Sequence, residues 1–300
     1  MLSGILGRLW KIGRIGLRPP APEPGRHGLG IALVVRNEAD HIGEWAAFHA
    51  LAGVRRILAY DDGSTDATVA ILRDALGERL TIVPWRQRLS VPGPRWEIHN
   101  QVLAYAHAAA NFGGGLRWMA FIDADEFLIP KCATSLDAAL DHLGERRNLS
   151  LPWHMFGHSG HGAAPEGGIL RNYTRRAADP MSDRRGVRAF KCIVDPCHLT
   201  AAGVHAMETD GDTRTCNDRG EAARLAERNR PGFYSAEHVQ LNHYYARSQE
   251  ELAAKIARGP NLLGKAGAYE RKVRRTVANI EADEVEDHAA LDCLRRMGQA

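Results

Sequence analysis

Residues Ile31–Val35 read IALVV, five apolar positions with no polar break. A run of strand length that does not alternate is what a parallel strand buried on both faces requires. In the next stretch, RNEADHIGEWAAFHALAG, the residues Ile42, Trp45, His49 and Ala52 fall near one helical face, with Asp40 as an N-cap and Gly53 as a stop. The pattern then repeats. RRILAYDD predicts a strand to Tyr60, a Gly/Ser turn, and a helix entered at Ser64 or Thr65 and stopped at Gly77. LTIVPW is a third strand, WEIHNQVLAYAHAAANFG a helix ending at Gly113, and RWMAFIDADEFLIP a fourth strand. The order β-α-β-α-β-α-β over 31–127 predicts an α/β fold, a mostly parallel sheet with helices on both faces.

Open sheets of this kind bind ligands beyond the carboxyl ends of their strands. Three of those ends are polar: Arg36-Asn37-Glu38, Asp61-Asp62 and Asp123-Ala124-Asp125. They predict one crevice with acidic walls. Residues two apart on a strand share a side, and two adjacent carboxylates repel unless a cation lies between them. Mg²⁺ and Mn²⁺ are bound by oxygen and share their shell with substrate phosphates. D-x-D at a strand end is therefore a recipe for a metal–diphosphate; the plain alternative is a pair of exposed loop acids. Asp61 and Asp62 can accept hydrogen bonds from a base or ribose, or serve only the turn at Gly63. Asp66 suits a helix's first turn.

After Lys131 the pattern loosens. NLSLPWHMFGHSGHG gives a strand and a His/Gly-rich loop, and VRAFKCIVDP another strand. EHVQLNHYYARSQEELAAKIARG gives a strand and then a helix capped by Ser248 with Glu251 three residues on, a capping box. The last forty residues are charged and helical and predict a solvated tail. At the other end, residues 1–18 mix Leu2, Ile5, Leu6, Leu9, Ile12 and Leu17 with Arg8, Lys11, Arg14 and Arg18, with no acid. This is either a loosely packed leader or a basic segment that lies on an anionic membrane surface. RPPAPEPGRHGLG reads as a linker.

Composition narrows the function classes. The chain has 300 residues, 44% hydrophobic and 25% charged, with a net charge of +3, too mild to point to nucleic acid. Its five cysteines include no C-x-x-C pair, so zinc-site spacing is absent and reduced thiols of a cytoplasmic protein are expected. No apolar run reaches the roughly 20 residues a membrane span needs.

The stretch VVRNEADHIGEWAAFHALAGVRRILAYDDGSTDAT, followed by WMAFIDADEFLIP, resembles the glycosyltransferase family 2 superfamily, and more closely its branch related to family 92. WHMFGHSGH, KCIVDP, GVH and LNHYYARSQEELAAKIARG fit that branch in order, so the resemblance covers 31–259. It implies a GT-A fold, a Rossmann-like sheet binding a nucleotide-sugar, with Mn²⁺ or Mg²⁺ at the D-x-D. It implies a nucleotide pocket lined by Arg36, Asn37, Glu38, Asp61, Asp62 and Asp123, and a metal held by Asp123, Asp125 and a later His, with His243 before His205. The separate E-D motif that carries the usual base of family 2 has no clean copy here. Glu126 and the loop histidines His154, His158 and His161 are the candidates; Glu126 is equally a salt-bridge residue behind the metal.

The sequence thus predicts a leader and linker over 1–30, a GT-A domain over 31–260 and a charged helical tail over 261–300. The domain divides into a nucleotide half (31–130) and an acceptor half (131–260). Catalytic candidates are Asp125, Glu126 and His161. The expected activity is metal-dependent transfer from a UDP-sugar to a glycan or other hydroxyl acceptor, with inversion, as in bacterial glycan biosynthesis. Expected partners are donor and acceptor, with a possible peripheral membrane contact through 1–18 and no nucleic acid. A sugar-phosphate nucleotidyltransferase and a non-catalytic carbohydrate-binding protein remain as alternatives.

Overall fold

The computed structural model describes residues 10–92, 96–259 and 266–299. The alternation is present. Strand β1 (Leu29–Val35), helix α1 (Ile42–Leu51), β2 (Arg56–Asp61), α2 (Thr68–Leu76), β3 (Leu80–Pro84), α3 (Asn100–Phe112) and β4 (Trp118–Phe121) follow in turn. In space the strands run β3-β2-β1-β4, all parallel. Val35 pairs with Asp61 and Asp61 with Pro84, so these carboxyl ends finish level.

The unbroken apolar run of β1 is buried on both faces. Ile31, Leu33 and Val35 pack with Ile42 and Trp45 of α1. Ala32 faces the opposite core with Tyr105 of α3 and Phe121. Each large side chain enclosed in this way contributes about 1.5–3 kcal/mol.

Beyond β4 the sheet becomes mixed. It adds β5 (Glu126–Pro130), β6 (Asn148–Met155), β7 (Phe190–Val194), β8 (Arg214–Cys216), β9 (Ala222–Arg224) and β10 (Val239–His243). The order is β9-β8-β6-β7-β4-β1-β2-β3, with β10 joined to both β6 and β5. β7 is antiparallel to β4 and β6; β10 is parallel to β6 and antiparallel to β5. The last pairing sets His243 directly opposite Glu126. Helix α4 (Gln249–Arg258) follows with its capping box formed: Glu251 N–H donates to Ser248 Oγ at 3.2 Å and Ser248 N–H to the Glu251 carboxylate at 3.0 Å.

Several expectations change. The stretch from Trp118 to Pro130 is two strands, not one, because Ile122–Asp125 turns between them. Helix α2 begins at Thr68, not at Ser64 or Thr65, because those two residues bond Asn37 instead. Trp96–Ile98 is a strand paired with Trp10–Ile12, so α3 starts only at Asn100.

The first nine residues of the basic segment lie outside the described residues. From Trp10 on, the segment is strand: Arg14–Gly16 pairs with Leu199–Gly203, and Ile15 and Leu17 pack on the second core. The stretch read as a linker is tied down as well, with Arg26 gripping the Asp195 carboxylate at 2.7 and 2.8 Å. At the far end, α5 (Ala266–Glu281) buries Val273, Val277 and Ile280, and α6 (Ala289–Arg296) sets Ala290 and Cys293 into the main core. The strand Glu284–Glu286 between them pairs with Arg175–Ala177. The charged C-terminal residues are therefore packed onto the body and are not a solvated tail. Among the described residues no helix is long and apolar enough to cross a membrane.

Candidate active site

The D-x-D turn is closed by its neighbour. Glu126 N–H donates to the Asp123 carbonyl at 3.1 Å, and the Glu126 carboxylate accepts the Asp123 N–H at 2.8 Å. Tyr244 N–H donates to the Asp125 carbonyl at 2.9 Å. Because the acids lie in a turn, the same-side rule for strands does not apply to them, and they face different partners.

Asp123 accepts hydrogen bonds from Gln101 Nε2 at 2.5 Å and Lys191 Nζ at 2.9 Å. Lys191 is 1% exposed and also lies 3.5 Å from the Glu126 carboxylate. Burial by itself lowers the pKa of this ammonium, but Asp123 and Glu126 outweigh burial and hold it well above the usual range.

Asp125 meets His243 Nε2 and Lys255 Nζ at one oxygen, each at 3.4 Å. Burial alone pushes the Asp125 carboxyl up; His243, Lys255 and Arg247 outweigh it and hold it well below the ordinary carboxylate range. Lys255 also donates to the Tyr245 carbonyl at 3.0 Å and stands 4.0 Å from the centre of the Tyr245 ring.

Glu126 is fully buried. Burial pushes its carboxyl up to about 7 against the opposing pull of Lys191. Enclosed in this way, it stands behind Asp123 and Asp125.

The first two strand ends lie level and are tied together. Glu38 lies 3.7 Å from Arg247 and 3.5 Å from Arg258. Burial raises its pKa and the two arginines oppose the rise. Asn37 Oδ1 accepts the Thr65 N–H at 2.8 Å, which ties the first strand end to the second. Asn37 and Arg247 both carry left-handed backbone, φ 53° and 54°, uncommon for asparagine and a real exception for arginine. Arg36 is exposed.

Asp61 serves the turn, accepting Ser64 N–H at 2.9 Å, and Gly63 at φ 81° permits the reversal. Asp62 is nearly buried and held by both nitrogens of Arg88, at 2.8 and 2.9 Å.

The histidines read as one loop separate: His154 lies within strand β6, and only His158 and His161 lie in the loop beyond it. His154 is buried, bonded to the Tyr234 hydroxyl at 3.0 Å, and burial lowers its pKa to about 3. His158 pairs with Glu281 of α5. His161 meets the Asn172 carbonyl at 3.1 Å, and its own carbonyl accepts Gln249 N–H, tying it to the start of α4. His205 packs edge-on to Trp153, with its pKa lowered to about 4 by burial.

Sequence reasoning gave no role to Gln101, Lys191, Lys255, Arg258 or Arg88. The signal for Lys191 was present: a lysine inside the apolar run FKCIV has to find a buried acid. Lys255 and Arg258 read as ordinary solvent-facing charges of a helix, and nothing in their spacing marks them.

Among the described residues no group of three or more His, Cys, Asp and Glu is gathered as a metal cage. Asp125 and His243 nevertheless fit a divalent cation. Mg²⁺ and Mn²⁺ need few protein ligands when phosphates and water complete the shell, and a carboxylate oxygen with an imidazole nitrogen suits Mn²⁺. The Asp125 oxygen already faces a cationic group in Lys255.

A large, mostly parallel sheet with helices and a D-x-D turn beyond its strand ends resembles the GT-A architecture. The chain belongs to glycosyltransferase family 92, whose family model matches residues 31–268. It is 29% identical over 215 residues to a glycosyltransferase family 92 protein of Ricinus communis, covering 67% of this chain and 36% of that one. It is 29% identical over 169 residues to one of Oryza sativa subsp. japonica, covering 54% of this chain and 27% of that one. The chain thus spans about a third of the length of these curated relatives. Among solved structures it is similar to glucosyl-3-phosphoglycerate synthase from Mycobacterium tuberculosis, crystallised with Mn²⁺ and UDP, at 18% identity, 58% of each chain and a TM-score of 0.30. It is also similar to S. aureus TarS, at 13% identity, 84% of this chain, 43% of that one and a TM-score of 0.32.

Proposed function

We propose that this family 92 glycosyltransferase moves a sugar from a UDP-sugar to an acceptor hydroxyl, with inversion, using a divalent cation held by Asp125 and His243. One observation carries the reading. At the carboxyl ends of the strands, Asp125 and Glu38 face Lys255, Arg247 and Arg258 across gaps of 3.4–3.7 Å. Acids and cations paired at this range suit a metal on the acids and a diphosphate on the cations once their mutual ion pairs open.

The residues divide the work. Lys255, Arg247 and Arg258 bind the diphosphate and orient the anomeric carbon. Asp123, with two oxygens already fixed by Gln101 and Lys191, keeps further lone pairs for a ribose hydroxyl. Asn37, Asp62 and the Arg88 that grips it form the nucleoside wall. A cation held by Asp125 and His243 would offset charge developing on the departing diphosphate.

The test is thermal. UDP stabilises a protein whose folded state alone binds it, by an amount that grows with ligand over Kd. UDP with Mn²⁺ should raise the Tm well above UDP with EDTA, and Asp125→Ala should remove the difference. Equal shifts with and without metal, kept in the variant, would contradict the assignment.

A further inference from the structure

His243 stands between two carboxylates. Its Nε2 faces Asp125 at 3.4 Å and its Nδ1 faces Glu126 Oε1 at 3.8 Å. Both Nδ1 and Oε1 are buried and without a hydrogen-bond partner. Two orphaned polar atoms aimed at each other are a hydrogen bond left open by about 1 Å.

The surroundings hold each group in place. Glu126 and His243 are cross-strand partners in the β5–β10 pair, which puts their side chains on one face. The other Glu126 oxygen is fixed by the Asp123 N–H, and Lys191 lies 3.5 Å from it. Trp153 packs against the imidazole with ring centres 4.5 Å apart.

We infer that Glu126 is a positioning residue: it accepts the Nδ1–H of His243, so that Nε2 is left free and aimed at the cation shared with Asp125. A histidine that ligates through one nitrogen needs an acceptor for the other, which fixes tautomer and ring orientation, and removing such a partner typically weakens the metal by about 10- to 100-fold. The inference rests on the reading of His243 as a ligand.

The experiment is a double-mutant cycle on Mn²⁺ affinity, read by electron paramagnetic resonance of free Mn²⁺ in the presence of UDP. Glu126→Gln is expected to weaken Mn²⁺ about tenfold. His243→Ala should weaken it at least as much, and the double variant no further than His243→Ala alone. Unchanged affinity in Glu126→Gln, or the same loss repeated on the His243→Ala background, overturns the inference while leaving the site reading intact. Unchanged affinity in His243→Ala overturns both. A second readout needs no variant fold at Glu126: in ¹⁵N-histidine-labelled wild-type protein with Mg²⁺ and UDP, His243 should carry its proton on Nδ1. A proton on Nε2 overturns the inference.

Discussion

Lys191 is the residue on which the acidic wall depends. It is almost fully enclosed and is the cation common to Asp123 and Glu126. Removing one partner of a buried ion pair leaves the other charged and unpaired, at a loss of about 3–5 kcal/mol. Lys191→Met should therefore lose stability of that order in urea unfolding, and adding Glu126→Gln should recover part of it. A Lys191→Met protein as stable as wild type would remove the lysine from the account. At this scale the sequence was partly legible. Asp123, Asp125 and His243 stood out as chemistry at strand ends. Their division of labour did not, because it depends on which cation each acid meets, and Lys191 and Lys255 come from distant parts of the chain. Glu126 read equally as base or support, and its full burial was not legible in the sequence.

At the scale of elements, helix α1 fixes the floor of the site. Trp45 Nε1–H donates to the Glu126 carbonyl at 2.8 Å. His49 Nδ1 meets the Trp45 carbonyl at 2.8 Å, and its Nε2 lies 3.3 Å from the Leu128 N–H it accepts. The imidazole must be neutral to accept at one nitrogen and donate at the other, and burial lowers its pKa to about 3. The folded pKa lies below the unfolded value near 6.5, so the unfolded chain binds the extra proton as pH falls. The contribution of His49 is complete above about pH 6.5 and is lost between there and pH 3, at about 1.4 kcal/mol per unit. His49→Gln should flatten the stability–pH slope in that window by about one proton, measured by urea unfolding at several pH values. An unchanged slope would mean that His49 is not held neutral. The apolar periodicities of β1 and α1 were plain in the sequence. The break at Ile122–Asp125 was not, because its cause, β5 leaving β4 to pair with β10, is a contact with residues over a hundred positions later.

At the scale of the whole molecule, the C-terminal segment is structural. Cys293 and Ala290 sit in the same core as β1 and α1, and Arg296 donates to the Pro130 carbonyl at 2.6 Å. Ending the chain before α6 should cost about 2–4 kcal/mol from lost apolar burial, seen as a lower Tm in calorimetry. An unchanged Tm would restore the solvated-tail reading. The charge of this segment concealed its packing: its buried residues are small or widely spaced, and α6 offers only Ala289, Ala290 and Cys293 as fully covered positions.

The central claim is that Asp125, His243, Lys255 and Arg247 together serve sugar transfer with the help of a divalent cation. The most direct measurement is release of free nucleoside diphosphate from a panel of nucleotide-sugars, with Mn²⁺, with EDTA, and in Asp125→Ala. The account predicts turnover of a UDP-sugar that needs Mn²⁺ and falls by at least about a hundredfold in the variant. Turnover that persists undiminished in EDTA, or in Asp125→Ala, would contradict it.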